Sequence, residues 1–280
     1  MKLKKLLLVA ALLAYLSSCS NSPRDIELQY ANIKETISNY ELSYYQDSKA
    51  EMNGEPMNAE YIVNIPYEMR TSQKDSKVES RILIQNPEVK FIIALGQQVV
   101  DTRNLRNLEL GFIHTPGGYQ EEIIMTDTLQ IDFGDMLGGT LDWEYLFTYV
   151  TPGLPGKPSN IGDTWEENIR VNRIEAGSKI TADLEINHEL SGFEKFNGRE
   201  CAVIKSKISA ILNDSYSMMG ASWDLNGTLS GSMTWHFDYK QGIIIQLLIE
   251  ESSEGKVVAP DIDVNATYSQ NSIIELKHNN

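Results

Sequence analysis

The sequence predicts an all-β, β-dominated chain: one long, strongly coiled antiparallel sheet, half-barrel or sandwich-like, with at most one or two short helices. Three observations carry this. From Trp223 to Tyr239 every odd position is apolar or Gly (Trp223, Leu225, Gly227, Leu229, Gly231, Met233, Trp235, Phe237, Tyr239) and every even one is polar, the period of a strand with one dry face and one wet face. The alternation returns at Tyr61, Val63, Ile65, Tyr67 and Met69, and at Ile180, Ala182, Leu184, Ile186, His188 and Leu190. Turn signals stand between such runs: Asn53-Gly54, Asn86-Pro87, Pro116-Gly117-Gly118, Asn197-Gly198 and Lys240-Gln241-Gly242. Half-wet strands with short links pair antiparallel, whereas parallel strands read as unbroken apolar runs.

The chain begins with Lys2, Lys4 and Lys5, an apolar run from Leu6 to Leu16, and then Leu16-Ser17-Ser18-Cys19. A basic start, a short apolar middle and small residues before a cut are the pattern of an export signal, too short to span a bilayer as a mature helix. The tetrapeptide resembles the lipobox of bacterial lipoproteins. That resemblance implies removal of residues 1–18 and acylation of Cys19, with 19–25 as a lipidated tether, and Ser20 after the cysteine implies the outer membrane of a Gram-negative cell. Acyl chains gain ~0.8 kcal/mol per buried methylene, so lipid on Cys19 is a sufficient membrane partner for a domain with no spanning segment.

Residues 26–150 form an expected N-terminal β half. Ile26, Tyr30, Ile33 and Ile37 recur at helical spacing after Ser22-Pro23, while Tyr40, Leu42 and Tyr44 alternate, so helix and strand both stand open there. Tyr119 to Phe133 alternates less cleanly, and a short helix is expected near Asp142 to Val150. The Pro/Gly-rich stretch 151–162 reads as the linker to a C-terminal β half, 163–280. In that half the run through Trp223 to Tyr239 exceeds ordinary strand length and must coil or break, with Gly227 and Gly231 as the kink sites. A hairpin turning at Asn226-Gly227 is the alternative. Lys157-Pro158, Gly162-Asp163-Thr164-Trp165, Gly198 to Ile204 and Phe237 to Gly242 together resemble a group of β-rich bacterial lipoproteins and periplasmic proteins, a likeness over residues 151–250 that implies a fold and an envelope location and no chemistry.

The chain has 24 Lys+Arg against 39 Asp+Glu, and loss of the three signal lysines leaves it more acidic still. Nucleic acid is excluded as a partner, since a surface of that sign repels phosphate. Cys201 lies in the apolar run Cys201-Ala202-Val203-Ile204 with no cationic neighbourhood to activate it, and reads as a small buried hydrophobe. The sequence holds no G-x-S-x-G elbow, H-E-x-x-H, C-x-x-C, P-loop or G-x-G-x-x-G. No catalytic residue, metal site or cofactor is expected.

Four histidines are the remaining chemistry. His236 and Asp238, two apart on one strand, are expected on the same polar face, where a third ligand would make a metal-assisted hydrolase. His188 falls on an apolar face as a hydrogen-bonded core imidazole; His114 lies by a turn and His278 in the tail, neither with a partner in sequence. Asp261 and Asp263 with Glu250, Glu251 and Glu254 offer oxygens for Ca²⁺ but not at the spacing of a calcium loop. Trp223, Gly227, Gly231, Met233, Trp235 and Phe237 share the apolar side of one strand. They serve either as packed core or as the wall of a concave site for an apolar small molecule. The expected function is a lipid-anchored, non-catalytic envelope binding domain; the alternative is a structural or interaction subunit of an outer-membrane assembly, partnered by an envelope protein.

Overall fold

The computed structural model describes residues 25–30, 35–93, 96–125, 130–132, 140–142, 147, 151–175, 178–218, 221–259 and 264–279. Cys19 and the signal lie outside the described residues, as do Asp261 and Asp263 and, apart from Phe147, the stretch 143–150 expected to be helical.

Among the described residues seventeen strands follow in chain order. In the first half they are β1 (Ile26–Glu27), β2 (Glu35–Met52), β3 (Glu55–Lys74), β4 (Lys77–Ile84), β5 (Glu88–Ile93), β6 (Gly96–Val99), β7 (Glu109–His114), β8 (Gln120–Met125), β9 (Gln130–Asp132) and β10 (Thr140–Asp142). The second half adds β11 (Pro158–Ser159), β12 (Thr164–Glu175), β13 (Ser178–Phe196), β14 (Arg199–Met218), β15 (Ala221–Asp238), β16 (Ile243–Ala259) and β17 (Val264–Asn279). A 3-10 turn, Arg103–Leu105, interrupts them. The open choice at the start of the chain resolves to strand from Glu35 onward.

Thirteen of these strands form one antiparallel sheet in the order β12-β13-β14-β15-β16-β17-β2-β3-β4-β7-β8, with β5 and β6 extending β3. Its end strands do not pair with each other, so the sheet is open. Strands from both sides of the Pro/Gly stretch belong to it, joined where β17 pairs with β2 from Ala266↔Met52 to Asn279↔Asn39.

Long strands twist, and this sheet curls on itself. Bulges help at Leu190/Gly192 and His236/Phe237. β15 is one continuous strand, and Asn226-Gly227 does not turn: Asn226 pairs with Asn213 and Lys256 in unbroken register.

The inner face of the curl is the core. Tyr40, Leu42, Val63, Ile65, Tyr67, Ile82, Ile186, Ile204, Leu247 and Leu276 pack there, each almost wholly buried. Tyr30 measures the curvature, because its ring meets Phe237 of β15 edge-on at 5.3 Å and His114 of β7 at 5.4 Å. The outer face is wet: along β15, Asn226, Thr228, Ser230 and Ser232 are exposed. A lipid-embedded barrel requires the reverse, an apolar band facing outward.

The Pro/Gly segment straps the gap between the two ends of the sheet. Pro152, Gly153 and Leu154 are buried. Leu154 N–H donates to Gly117 O at 2.6 Å, Tyr30 N–H to Pro116 O at 2.8 Å, and the Tyr30 hydroxyl to Pro152 O at 2.8 Å. On the other side Trp165 Nε1–H donates to Gly153 O at 2.8 Å. A backbone without helix or ladder bonds is stable when buried only if its polar groups are met this way.

Candidate functional site

The six residues expected to form the apolar ligand wall divide into three cases. Met233, Trp235 and Phe237 are 1%, 0% and 0% exposed and belong to the continuous core. Gly227 and Gly231 do face inward, but neighbours occupy the space above them. A Cβ on Gly227 would stand 2.5 Å from Glu254 O and 2.7 Å from the Tyr268 hydroxyl, and one on Gly231 would stand 2.7 Å from Glu250 O. These glycines admit adjacent backbone and a cross-strand tyrosine. The Trp223 side chain lies outside the described residues. A cavity of about 10 Å³ in the core, lined by Tyr30, Tyr40, His114 and Ile244 among others and by none of these six residues, has room for about one water.

Two polar relays are embedded in this core. In the first, three adjacent strands align Glu167 (β12), His188 (β13) and Ser206 (β14), which are 7%, 1% and 5% exposed. His188 Nδ1 lies 2.7 Å from Ser206 Oγ, and Nε2 lies 3.2 Å from Glu167 Oε2. The same carboxylate oxygen accepts the Gly153 N–H at 2.8 Å. Trp165 stacks on the imidazole at 5.1 Å, and Trp235 meets it edge-on at 6.1 Å.

Ser, His and a carboxylate in line are the parts of a nucleophilic triad. A nucleophile must meet substrate, and Ser206 is covered by core. Its chemistry here is fastening: the carboxylate grips the strap's backbone, and the imidazole carries that grip to β14.

The second relay mirrors it. His114 Nε2 lies 3.1 Å from Ser80 Oγ, which lies 3.3 Å from Thr71 Oγ1, and His114 Nδ1 donates to Thr115 O at 2.8 Å. Burial holds the His114 imidazole below its usual pKa, against the opposing pull of the Thr115 carbonyl. His188 thus occupies the core position expected of it, and His114 gains a partner that only the fold supplies.

His236 and Asp238 keep the alternation of β15, which pairs with β14 in unbroken register through both residues; the extra residue of the nearby bulge, Ile245, lies on β16. They take different partners: His236 stacks on Phe196 and meets Glu194 Oε1 at 2.9 Å, whereas Asp238 is 4% exposed and meets Arg199 Nη1 at 3.2 Å. Among the described residues no three His, Cys, Asp or Glu groups are placed to hold a metal. Glu251 is 5% exposed on the inner face, while Glu250 and Glu254 are exposed on the outer, so the acidic cluster near 250–254 is split by the pleat. Cys201 is fully buried, and burial, then the nearby Asp238, push its thiol up to about 11.

Sequence reasoning missed Glu167. Its signal was nonetheless present: Trp165 and Ile169 mark the inward register of β12, and Glu167 stands between them. A carboxylate in an apolar register needs buried partners.

No family model matches the chain. No curated protein matches it either. Among solved structures, the chain is similar to the COG4313 outer membrane channel from Pseudomonas putida F1, at 11% identity and a TM-score of 0.27, over 93% of this chain and 100% of that one. It is also similar to a DUF1329 family protein from Desulfovibrio piger, at 7% identity and a TM-score of 0.15, over 86% of each chain. A third is the translocator domain of the autotransporter NalP from Neisseria meningitidis, at 9% identity and a TM-score of 0.17, over 85% of this chain and 88% of that one. Likenesses this distant carry no argument about this chain.

Proposed function

We propose that the protein is a lipid-anchored envelope protein, held at the outer membrane through acylated Cys19, that works by binding rather than by catalysis. The observation that carries this reading is the division of the sheet into a filled inner face and a polar outer face. Neither suits immersion in lipid, so attachment falls to the acyl chains on the processed terminus. The partner contacts the outside or the ends of a rigid scaffold, as in an interaction subunit of an envelope assembly.

The filled inner face weighs against an apolar ligand inside the curl. Small-molecule pockets run to ~300–1,000 Å³, and the space beside Trp235 and Phe237 is taken by core side chains. Replacing Cys19 with Ala tests the anchor. The wild-type protein is expected in the membrane fraction, resistant to a high-salt wash and extracted by detergent, with the Cys19→Ala protein in the soluble fraction. A variant that stays with membranes through the salt wash would overturn the reading.

A further inference from the structure

At the end of the sheet opposite the Asn53-Gly54 turn, the starts of β2 and β14, the β15–β16 turn and the last residues of β17 surround an open cleft of about 380 Å³. Thr36, Ser38, Asn39, Arg199, Gln241 and His278 supply its polar wall, over a floor of Ile243. Among the described residues no carboxylate lines it, on a chain where Asp+Glu outnumber Lys+Arg by 39 to 24.

Arg199 is held in place from behind. Its Nη1 donates to Asp238 Oδ2 at 3.2 Å and to Gln241 Oε1. Asp238 is itself fixed by the Lys240 and Gln241 backbone N–H groups, each at 3.1 Å. A guanidinium carries five N–H donors in a planar fork, and these bonds use Nη1 alone. Across the cleft the His278 ring is set edge-on against Tyr40 at 5.3 Å. Its Nδ1 is shielded from solvent and has no hydrogen-bond partner among the described residues. A pre-positioned guanidinium fork beside an imidazole, with amides and a hydroxyl around them, is the donor set that recognises oxyanions through charge-assisted hydrogen bonds.

We propose that this cleft binds a small oxyanion, a carboxylate or phosphate group, between the Arg199 guanidinium and the His278 imidazole, with Ser38, Asn39 and Gln241 as further donors. The proposal stands apart from the lipid-anchor reading, and each can fail without the other.

Binding is pH-dependent with a definite sign. Burial and then the Arg199 cation hold His278 below the usual imidazole value, with Asp238 pulling the other way. Among the described residues, those two charged groups act on the ring and the Tyr40 phenol meets it edge-on. An anion arriving between Arg199 and His278 favours the imidazolium, so binding takes up a proton. Affinity therefore rises as pH falls, by up to about tenfold per pH unit while the free imidazole is neutral.

Titration of the detergent-extracted protein with inorganic phosphate, and separately with acetate, tests this by calorimetry and by NMR of the His278 ring. Saturable one-to-one binding of either anion, tighter at lower pH and with a shifted His278 resonance, is the expected result; the arm that responds names the group recognised. Arg199→Lys keeps the ion pair to Asp238 but loses the fork, and should weaken binding by about tenfold or more while circular dichroism stays unchanged. His278→Gln should abolish the pH dependence and leave weaker binding. Failure of both anions to saturate, or wild-type affinity in Arg199→Lys together with an unshifted His278 resonance, overturns the proposal.

Discussion

Cys201 illustrates how burial sets the chemistry of a single residue. Its thiol packs with Ile243, Ile245 and Phe196 in a small cluster separate from the main core, and its Sγ lies 3.8 Å from Arg199 O. Removal from water penalises the thiolate, and the Asp238 carboxylate adds to the penalty, so the folded thiol titrates at about 11, against ~8.5 for a free cysteine. The thiolate is the reactive form, and at neutral pH the folded chain offers almost none of it. Maleimide labelling at pH 7.5 should therefore be slow in buffer and rapid in denaturant. The same shift sets a stability trend. Between pH 8.5 and 11 the unfolded thiol has ionised while the folded one keeps its proton, so this residue's contribution to stability falls as pH rises through that window and is constant below it. A fast-reacting thiol in the folded protein at pH 7.5 would contradict its burial.

The strap and the three strands it joins depend on buried polar bonds that have no substitute nearby. Glu167→Ala strips the acceptor from both Gly153 N–H and His188 and leaves them shielded from water, a loss of ~1–3 kcal/mol. Glu167→Gln keeps a side-chain oxygen for Gly153 N–H and should lose less. Urea unfolding followed by circular dichroism checks this: the Ala midpoint should fall below the Gln midpoint at unchanged slope, and equal midpoints would mean that the carboxylate does not hold the strap. These elements also show what periodicity can and cannot reveal. The alternation from Trp223 to Tyr239 is a local property, so it announced β15 and its two faces, while the choice between one run and a hairpin at Asn226-Gly227 waited on the pairing with β14 and β16. The strap is buried by residues remote in sequence, Gly117 and Tyr30 on one side and Trp165 and Glu167 on the other, and Pro/Gly density alone reads as a linker. His236 and Asp238 keep the alternation of β15 but are claimed by different partners, Glu194 and Arg199, which only the neighbouring strands supply. Arg199 and His278 stand 79 positions apart, and only the pairing of β14 through β17 to β2 carries them to one end of the sheet.

The pairing of β17 with β2 decides how the whole molecule behaves. It joins residues more than 200 positions apart, as at Ala266↔Met52, and makes the two halves flanking the strap one ladder with one core. Neither half can satisfy itself alone, because separation would bare the full lengths of β2 and β17 as unpaired edges and open the apolar face beneath them. Unfolding should then be a single event despite the length of the chain. In urea, far-UV circular dichroism, which reports the entire sheet, and tryptophan fluorescence, to which the buried Trp235 contributes, should trace coincident curves, and amides of β2–β3 and of β14–β15 should share the slowest hydrogen-exchange class. Such remote pairing also carries a large loop-closure cost before any contact forms, so refolding belongs in the millisecond-to-second range or slower. Two resolved transitions, with the β2–β3 amides exchanging while those of β14–β15 stay protected, would mean that the β17–β2 ladder is weaker than its neighbours and that the strap divides two folding units after all.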